Sequence, residues 1–135
     1  MTCRSDLTPR YGMCEERVSW SPDLVARFTE GDCALLAVTV ADMVPGARIA
    51  IDSSEYHCFV RLPDGRYLDI EGARSHREIT AQWGKGRARL ISRAWLEREG
   101  WEPDREVFSG SRAMVKRVAR RLIREAGVCA RGETE

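Results

Sequence analysis

Phe28-Thr29-Glu30-Gly31-Asp32-Cys33-Ala34-Leu35-Leu36-Ala37-Val38 is the stretch whose reading decides the fold. From Cys33 to Met43 the chain is apolar nearly all round, with Thr39 and Asp42 the polar exceptions, and Pro45-Gly46 closes the run. A helix of that composition belongs in the middle of a core. The expected element is a helix from about Cys33 to Met43, capped by Asp32 or Thr29. Cys33 then lies in its first turn, where the partial positive charge of a helix N-terminus draws a thiol below its free pKa of about 8.5.

Upstream, Ser21-Pro22-Asp23 opens a shorter helix, with Ser as N-cap and Pro at the first helical position, running to about Phe28. Downstream the pattern changes to strands. Ala47 to Asp52 alternates loosely, Tyr56 to Leu62 is aromatic and β-branched, and Arg66 to Ile70 returns after Pro63-Asp64-Gly65. Ser75 and Glu78 form a capping box for a helix ending near Trp83-Gly84. Arg87 to Ile91 is one more strand, and Ser92 caps a short helix that Gly100 ends. From Ser111 to about Ala126, Met114, Val115, Val118, Ala119, Leu122, Ile123 and Ala126 make the apolar stripe of an amphipathic helix. The expected fold class is α+β: a buried helix on a small antiparallel sheet, plus a C-terminal amphipathic helix. At 135 residues the chain is one domain. It divides into an irregular arm over 1–19, a core over 20–110, the helix over 111–126 and a frayed tail over 127–135.

The helix carries a thiol, and the strands carry what a thiol needs. An imidazole beside the sulfur stabilises the thiolate and then protonates a leaving group, and an acidic side chain orients the ring. Cys33, His57 and Asp69 follow in that order. Turn length decides whether the last two meet. With Asp64-Gly65 as a two-residue loop, Asp69 lies opposite Val60 and points away from His57. With Pro63-Asp64-Gly65 as a three-residue loop, Leu62 pairs with Arg66, Asp69 faces Phe59, and Glu71 faces His57 on one side of the sheet. That register makes Glu71 a rival to Asp69 as the orienting residue.

The run from His57 to Asp69 resembles the His-to-Asp hairpin of transglutaminase-like and other papain-like cysteine enzymes. The Gly31-Asp32-Cys33 entry into an apolar helix is similar to their nucleophile segment. The resemblance covers about residues 28 to 71. It implies a papain-like core and a cysteine hydrolase or acyl transferase of peptidase, amidase, deamidase or transglutaminase type. Its substrate is a peptide or other amide or ester, with Cys33 as nucleophile, His57 as general base then acid, and Asp69 preferred to Glu71. It implies no metal and no organic cofactor. The Gln that such proteases place before the nucleophile is absent, Arg27 and Glu30 standing there instead, and Ala34 replaces the usual aromatic residue. Backbone N–H groups at the helix start are the alternative oxyanion donors.

Other residues admit other readings. His76 is a helix-start residue that replaces His57 if the hairpin faces the other way. A zinc site from Cys33, His57, Cys58 and His76 is disfavoured, because neighbours on a strand point to opposite faces. Arg117, Arg120, Arg121 and Arg124, with Lys116, give the last helix a basic face. That face reads as solvated surface, with contact to nucleic acid or an acidic partner as its functional reading. A non-catalytic binding or structural protein of viral or mobile-element origin, retaining the fold, is the other alternative. The tryptophans Trp20, Trp83, Trp95 and Trp101 are expected to pack the core or wall a cleft.

The net charge of +1 provides no global field for nucleic acid. No segment reaches the roughly 18 to 20 apolar residues that cross a bilayer, and the N-terminus lacks a signal-peptide core. A cytoplasmic protein without membrane contact is expected. The five cysteines are odd in number and irregularly spaced, so they are expected to be free thiols.

Overall fold

The computed structural model describes residues 20–55, 57–83, 87–101 and 112–130. The irregular arm over 1–19, Tyr56 at the head of the second expected strand, Gly84, Ser111 and most of the frayed tail lie outside the described residues. Ser21 accepts a hydrogen bond from the Leu24 N–H and Pro22 takes the first helical position, so α1 (Pro22–Ala26) starts where the sequence signals it. The helix does not stop at Phe28. It widens into a π-helical turn over Arg27–Gly31, in which Phe28 is fully buried.

The second helix, α2 (Cys33–Met43), has the expected bounds and buries Cys33, Ala34, Leu35, Leu36, Ala37, Val38 and Val40. Asp32 is the N-cap, one of the two residues expected there, yet its side chain makes no capping hydrogen bond. Its carboxylate therefore leaves the N–H groups of the first turn uncapped.

Five strands follow: β1 (Arg48–Asp52), β2 (Cys58–Arg61), β3 (Tyr67–Asp69), β4 (Gly72–Arg74) and β5 (Ala88–Leu90). They form one sheet in the order β4-β3-β2-β1-β5, every neighbouring pair antiparallel. The class is α+β. β4 is not foreseen by the sequence, because three residues with a glycine offer no alternation to read. Its entry is set by Gly72, whose φ of +107° gives the sharp turn out of β3.

The sheet separates two apolar clusters. Ile49, Ile51, Cys58, Val60, Leu62, Leu68 and Ile70 belong to the main core with α2 and with Val115, Val118, Ala119, Leu122 and Ile123 of α5 (Arg112–Ala126). Ala50, Phe59 and Tyr67 join Ile79 of α3 (His76–Gln82) in a smaller cluster. The capping box of α3 forms as expected, Ser75 and Glu78 each bonding the other's backbone N–H. Ser92 caps α4 (Arg93–Arg98), and Gly100 follows it at positive φ. Trp20, Trp95 and Trp101 pack partly buried against the main core.

Pairing of Val60 with Leu68 and Arg61 with Tyr67 fixes the hairpin register. The Leu62 N–H donates to the Arg66 carbonyl at 2.7 Å, so the loop is the three residues Pro63-Asp64-Gly65, with Gly65 at φ +96°. Asp64 accepts bonds from the Arg66 side chain, which also donates to the Ala126 carbonyl at 2.7 Å and ties the hairpin to the end of α5. Cys33 and Cys58 are free thiols, whereas Cys129 is disulfide-bonded, which corrects the expectation that every cysteine is free. Among the described residues, no helix is long and apolar enough to cross a membrane.

Candidate active site

α2 brings Cys33 to the end of β2, where His57 immediately precedes the strand. The Cys58 N–H lies 3.4 Å from Cys33 Sγ, so the sulfur rests against the backbone that also carries His57. His57 is completely buried and Cys33 is 3% exposed. The three-residue turn puts Asp69 on the His57 side of the sheet, and His57 Nε2 stands 2.9 Å from Asp69 Oδ2. With the carboxylate ionised, Nε2 carries the proton and donates it. Nδ1 is buried with no hydrogen-bond partner among the described residues, which leaves it as the nitrogen available to the sulfur.

Asp69 is held as tightly as it holds. Arg74 Nη2 donates to both of its oxygens at 3.0 Å, and the Glu71 N–H donates to Oδ1 at 2.9 Å. Glu71 is thus not the residue on the imidazole: its side chain turns outward to solvent, 3.8 Å from Arg74. The position of His57 is set from behind by Asp52, a buried residue of β1. Its Oδ1 accepts the His57 backbone N–H at 2.7 Å and its Oδ2 accepts the Ser54 N–H at 3.0 Å. Trp83 covers the imidazole, ring centroids 4.2 Å apart, and Phe59 meets it at 5.7 Å edge-on.

These contacts set the charges. The Cys58 thiol, donating to the Cys33 sulfur, is the largest influence on Cys33. Burial opposes ionisation, but the His57 ring and the Cys58 N–H add to the thiol, and the Cys33 pKa is drawn down to about 5. Burial also works against a charged His57. The bond to Asp69, the nearness of the Cys33 sulfur and the two negative charges overcome it and raise the ring to about 9. Asp69 pays burial in the same way, yet its bond from His57 and the Arg74 charge hold it below the usual carboxylate range. Cys58 is pushed up, first by its bond to Cys33 and then by burial, and stays a thiol. Near neutral pH the site is a thiolate–imidazolium pair oriented by a carboxylate.

Cys33, His57 and Asp69 are therefore brought together. His76 is not part of the group: it stands exposed at the start of α3, its ring 5.4 Å from that of Tyr67. No cluster of His, Cys, Asp or Glu suited to a metal ion occurs among the described residues. Lys116, Arg117, Arg120 and Arg124 are exposed on α5. Trp83, expected to pack the core or wall a cleft, walls the site. Three participants escape a reading of the sequence. Asp52 and Arg74 reach partners within five residues, but through turns whose geometry the sequence does not spell out, and Cys58 belongs by alternation to the far face of its strand. The signal for Asp52 is the Asp-Ser-Ser turn, a side chain suited to accept nearby backbone N–H groups. Comparison of the chain with protein-family models, with curated proteins and with solved structures finds no match.

Proposed function

We propose that the chain is a papain-like cysteine hydrolase or acyl transferase that acts on an amide or ester carbonyl. The observation that carries this reading is the chain of contacts from Asp69 through His57 to Cys33. It joins a 2.9 Å carboxylate–imidazole bond to a sulfur whose pKa is about 5. A structural cysteine in an apolar core has its pKa raised, not lowered. The papain-like arrangement is inferred from the same elements, a nucleophile at the start of a buried helix and its partners on an antiparallel sheet.

The chemistry follows from the roles. The Cys33 thiolate attacks the carbonyl carbon, forming a C–S bond and a tetrahedral oxyanion. The uncapped N–H groups at the start of α2 are the donors suited to that oxyanion. His57, cationic at this point, gives its proton to the departing amine or alcohol, and the carbonyl reforms as a thioester. Water, or an acceptor amine, then attacks the thioester while neutral His57 takes its proton, and Cys33 leaves as thiolate. Asp69 holds the ring throughout, and Arg74 holds Asp69.

An acyl-enzyme trap tests the reading. The protein is incubated with an activated acyl ester and quenched in acid. The expected product is one acyl group on Cys33, absent in Cys33→Ala and strongly reduced in His57→Ala. Failure to acylate Cys33, in protein whose Cys33 reacts readily with a small alkylating reagent, overturns it.

One observation favours a second reading, a non-catalytic protein that keeps the arrangement. The cavity bounded by Cys33, Cys58, Phe59 and Asp69 has a volume of about 10 Å³, room for roughly one water. A carbonyl substrate reaches Cys33 only when this site opens. Alkylation by small reagents together with exclusion of every acyl donor favours that second reading.

A further inference from the structure

Two thiols meet at the start of α2, and acyl transfer uses only one of them. Cys58 is buried, free and protonated, and it lines the same small cavity as Cys33. Its own backbone N–H is 3.4 Å from Cys33 Sγ. A disulfide spans Cα atoms about 4.4 to 6.8 Å apart. With its sulfur resting on the Cys58 N–H, Cys33 is an immediate spatial neighbour of Cys58, which is the first condition for such a bridge. Both side chains belong to the main apolar core and line one cavity there.

We propose that Cys33 and Cys58 form a dithiol that a hydroperoxide converts to an intramolecular disulfide. In the first step the Cys33 thiolate attacks one peroxide oxygen. An S–O bond forms, the O–O bond breaks, and the departing hydroxide takes up a proton as water. Cys33 is oxidised to the sulfenic acid and the peroxide is reduced. In the second step the Cys58 sulfur attacks the sulfenic sulfur. The S–S bond forms, the S–O bond breaks, and the Cys58 proton leaves with the hydroxyl as a second water.

The site is suited to this chemistry in three respects. A thiolate is the form that peroxide oxidises, and Cys33 is thiolate at neutral pH. A resolving thiol in contact intercepts the sulfenic acid before further oxidation. A cavity scaled to about one water favours the smallest oxidants over larger electrophiles. The loss of acyl transfer on oxidation rests on the function proposed above; the disulfide itself does not.

The full chain is treated with equimolar hydrogen peroxide and digested without reductant, and its peptides are mapped by mass spectrometry. The expected result is a cross-linked Cys33–Cys58 peptide that a dithiol reductant releases. In Cys58→Ala, the cross-link is lost and dimedone labels Cys33 as the sulfenic acid. Dimedone-labelled or over-oxidised Cys33 in the natural protein without the cross-link overturns the proposal, as does an unreactive Cys33. Alkylation of the untreated sample at about pH 6, below the pKa of an ordinary thiol, separates the two readings. Fast labelling without a cross-link removes the dithiol alone, whereas slow labelling removes the thiolate on which both depend.

Discussion

His57 Nε2 and Asp69 Oδ2 stand 2.9 Å apart on two segments joined by a hairpin whose loop is three residues long. A loop of two would turn Asp69 to the opposite face of the sheet. The bond therefore depends on Gly65, at φ +96°, as much as on the two side chains that make it. Arg74 and the Glu71 N–H complete the shell of Asp69 and keep its carboxylate ionised.

Asp69→Asn keeps the shape and removes the charge. The imidazolium loses its carboxylate, so the His57 pKa is expected to fall by about one unit or more from its raised value of about 9. Ring titration followed by NMR reads the shift. An unchanged His57 pKa contradicts the assigned contact. Asp69→Ala also leaves Arg74 without its buried partner, and a loss of about 3 kcal/mol in urea unfolding is expected.

Gly65→Ala tests the turn separately from the chemistry. Nothing lies within 4 Å of an added Cβ, so the cost is backbone conformation alone, roughly 1 to 2 kcal/mol. The pH profile of Cys33 alkylation is expected to stay unchanged while the urea midpoint falls. A stability equal to the natural protein's contradicts the three-residue loop.

Asp52→Ala removes the acceptor for the buried His57 N–H and for the Ser54 N–H. The expected cost is about 1 to 3 kcal/mol, for buried donors left without partners. Because the His57 backbone loses its anchor, slower Cys33 alkylation at neutral pH is also expected. A drop in stability without any change in alkylation assigns Asp52 to the turn alone.

The hairpin, the buried helix and the amphipathic helix are legible in the sequence because each rests on local chemistry. Pro63-Asp64-Gly65 marks a turn, Cys33 to Met43 an all-apolar helix, and Met114 to Ala126 a periodic stripe. The choice between Asp69 and Glu71 is not legible. Both are two residues apart in a strand pattern and share a face, and only the turn at Gly72 sends Glu71 outward. The π-helical turn over Arg27–Gly31 is hidden as well, since Thr29 and Asp32 look like caps for the helix that follows. Cys58 is the instructive case. Alternation assigns its side chain to the core face, away from His57, yet the start of α2 approaches the strand terminus and sets its sulfur against the Cys58 backbone and beside the His57 ring.

The Cys33–His57 pair also shapes stability against pH. His57, raised to about 9, contributes stability fully present below its unfolded pKa of about 6.5 and lost as pH rises through 9. Cys33, lowered to about 5, contributes stability complete above its unfolded pKa of about 8.5 and lost as pH falls through 5. Between roughly pH 6.5 and 8.5 the two slopes oppose each other, and from 6.5 down to 5 only the Cys33 slope remains. The urea midpoint is expected to be level across the first range and to fall across the second. Asp69 adds a further loss as pH drops below the carboxylate range. In Cys33→Ala the level range is expected to become a decline with rising pH, the His57 slope now being unopposed. Identical profiles for the two proteins contradict the pairing.

Alkylation of Cys33 against pH, read by mass spectrometry on the folded protein, tests the thiolate most directly. The rate is expected to rise with an inflection near pH 5 and to be flat from about pH 6 to 8. In His57→Ala the inflection moves up toward the free-thiol value of about 8.5, slowing the reaction at pH 6.5 by up to about a hundredfold. A natural protein whose Cys33 follows an ordinary thiol, or reacts only after unfolding, contradicts the thiolate–imidazolium site.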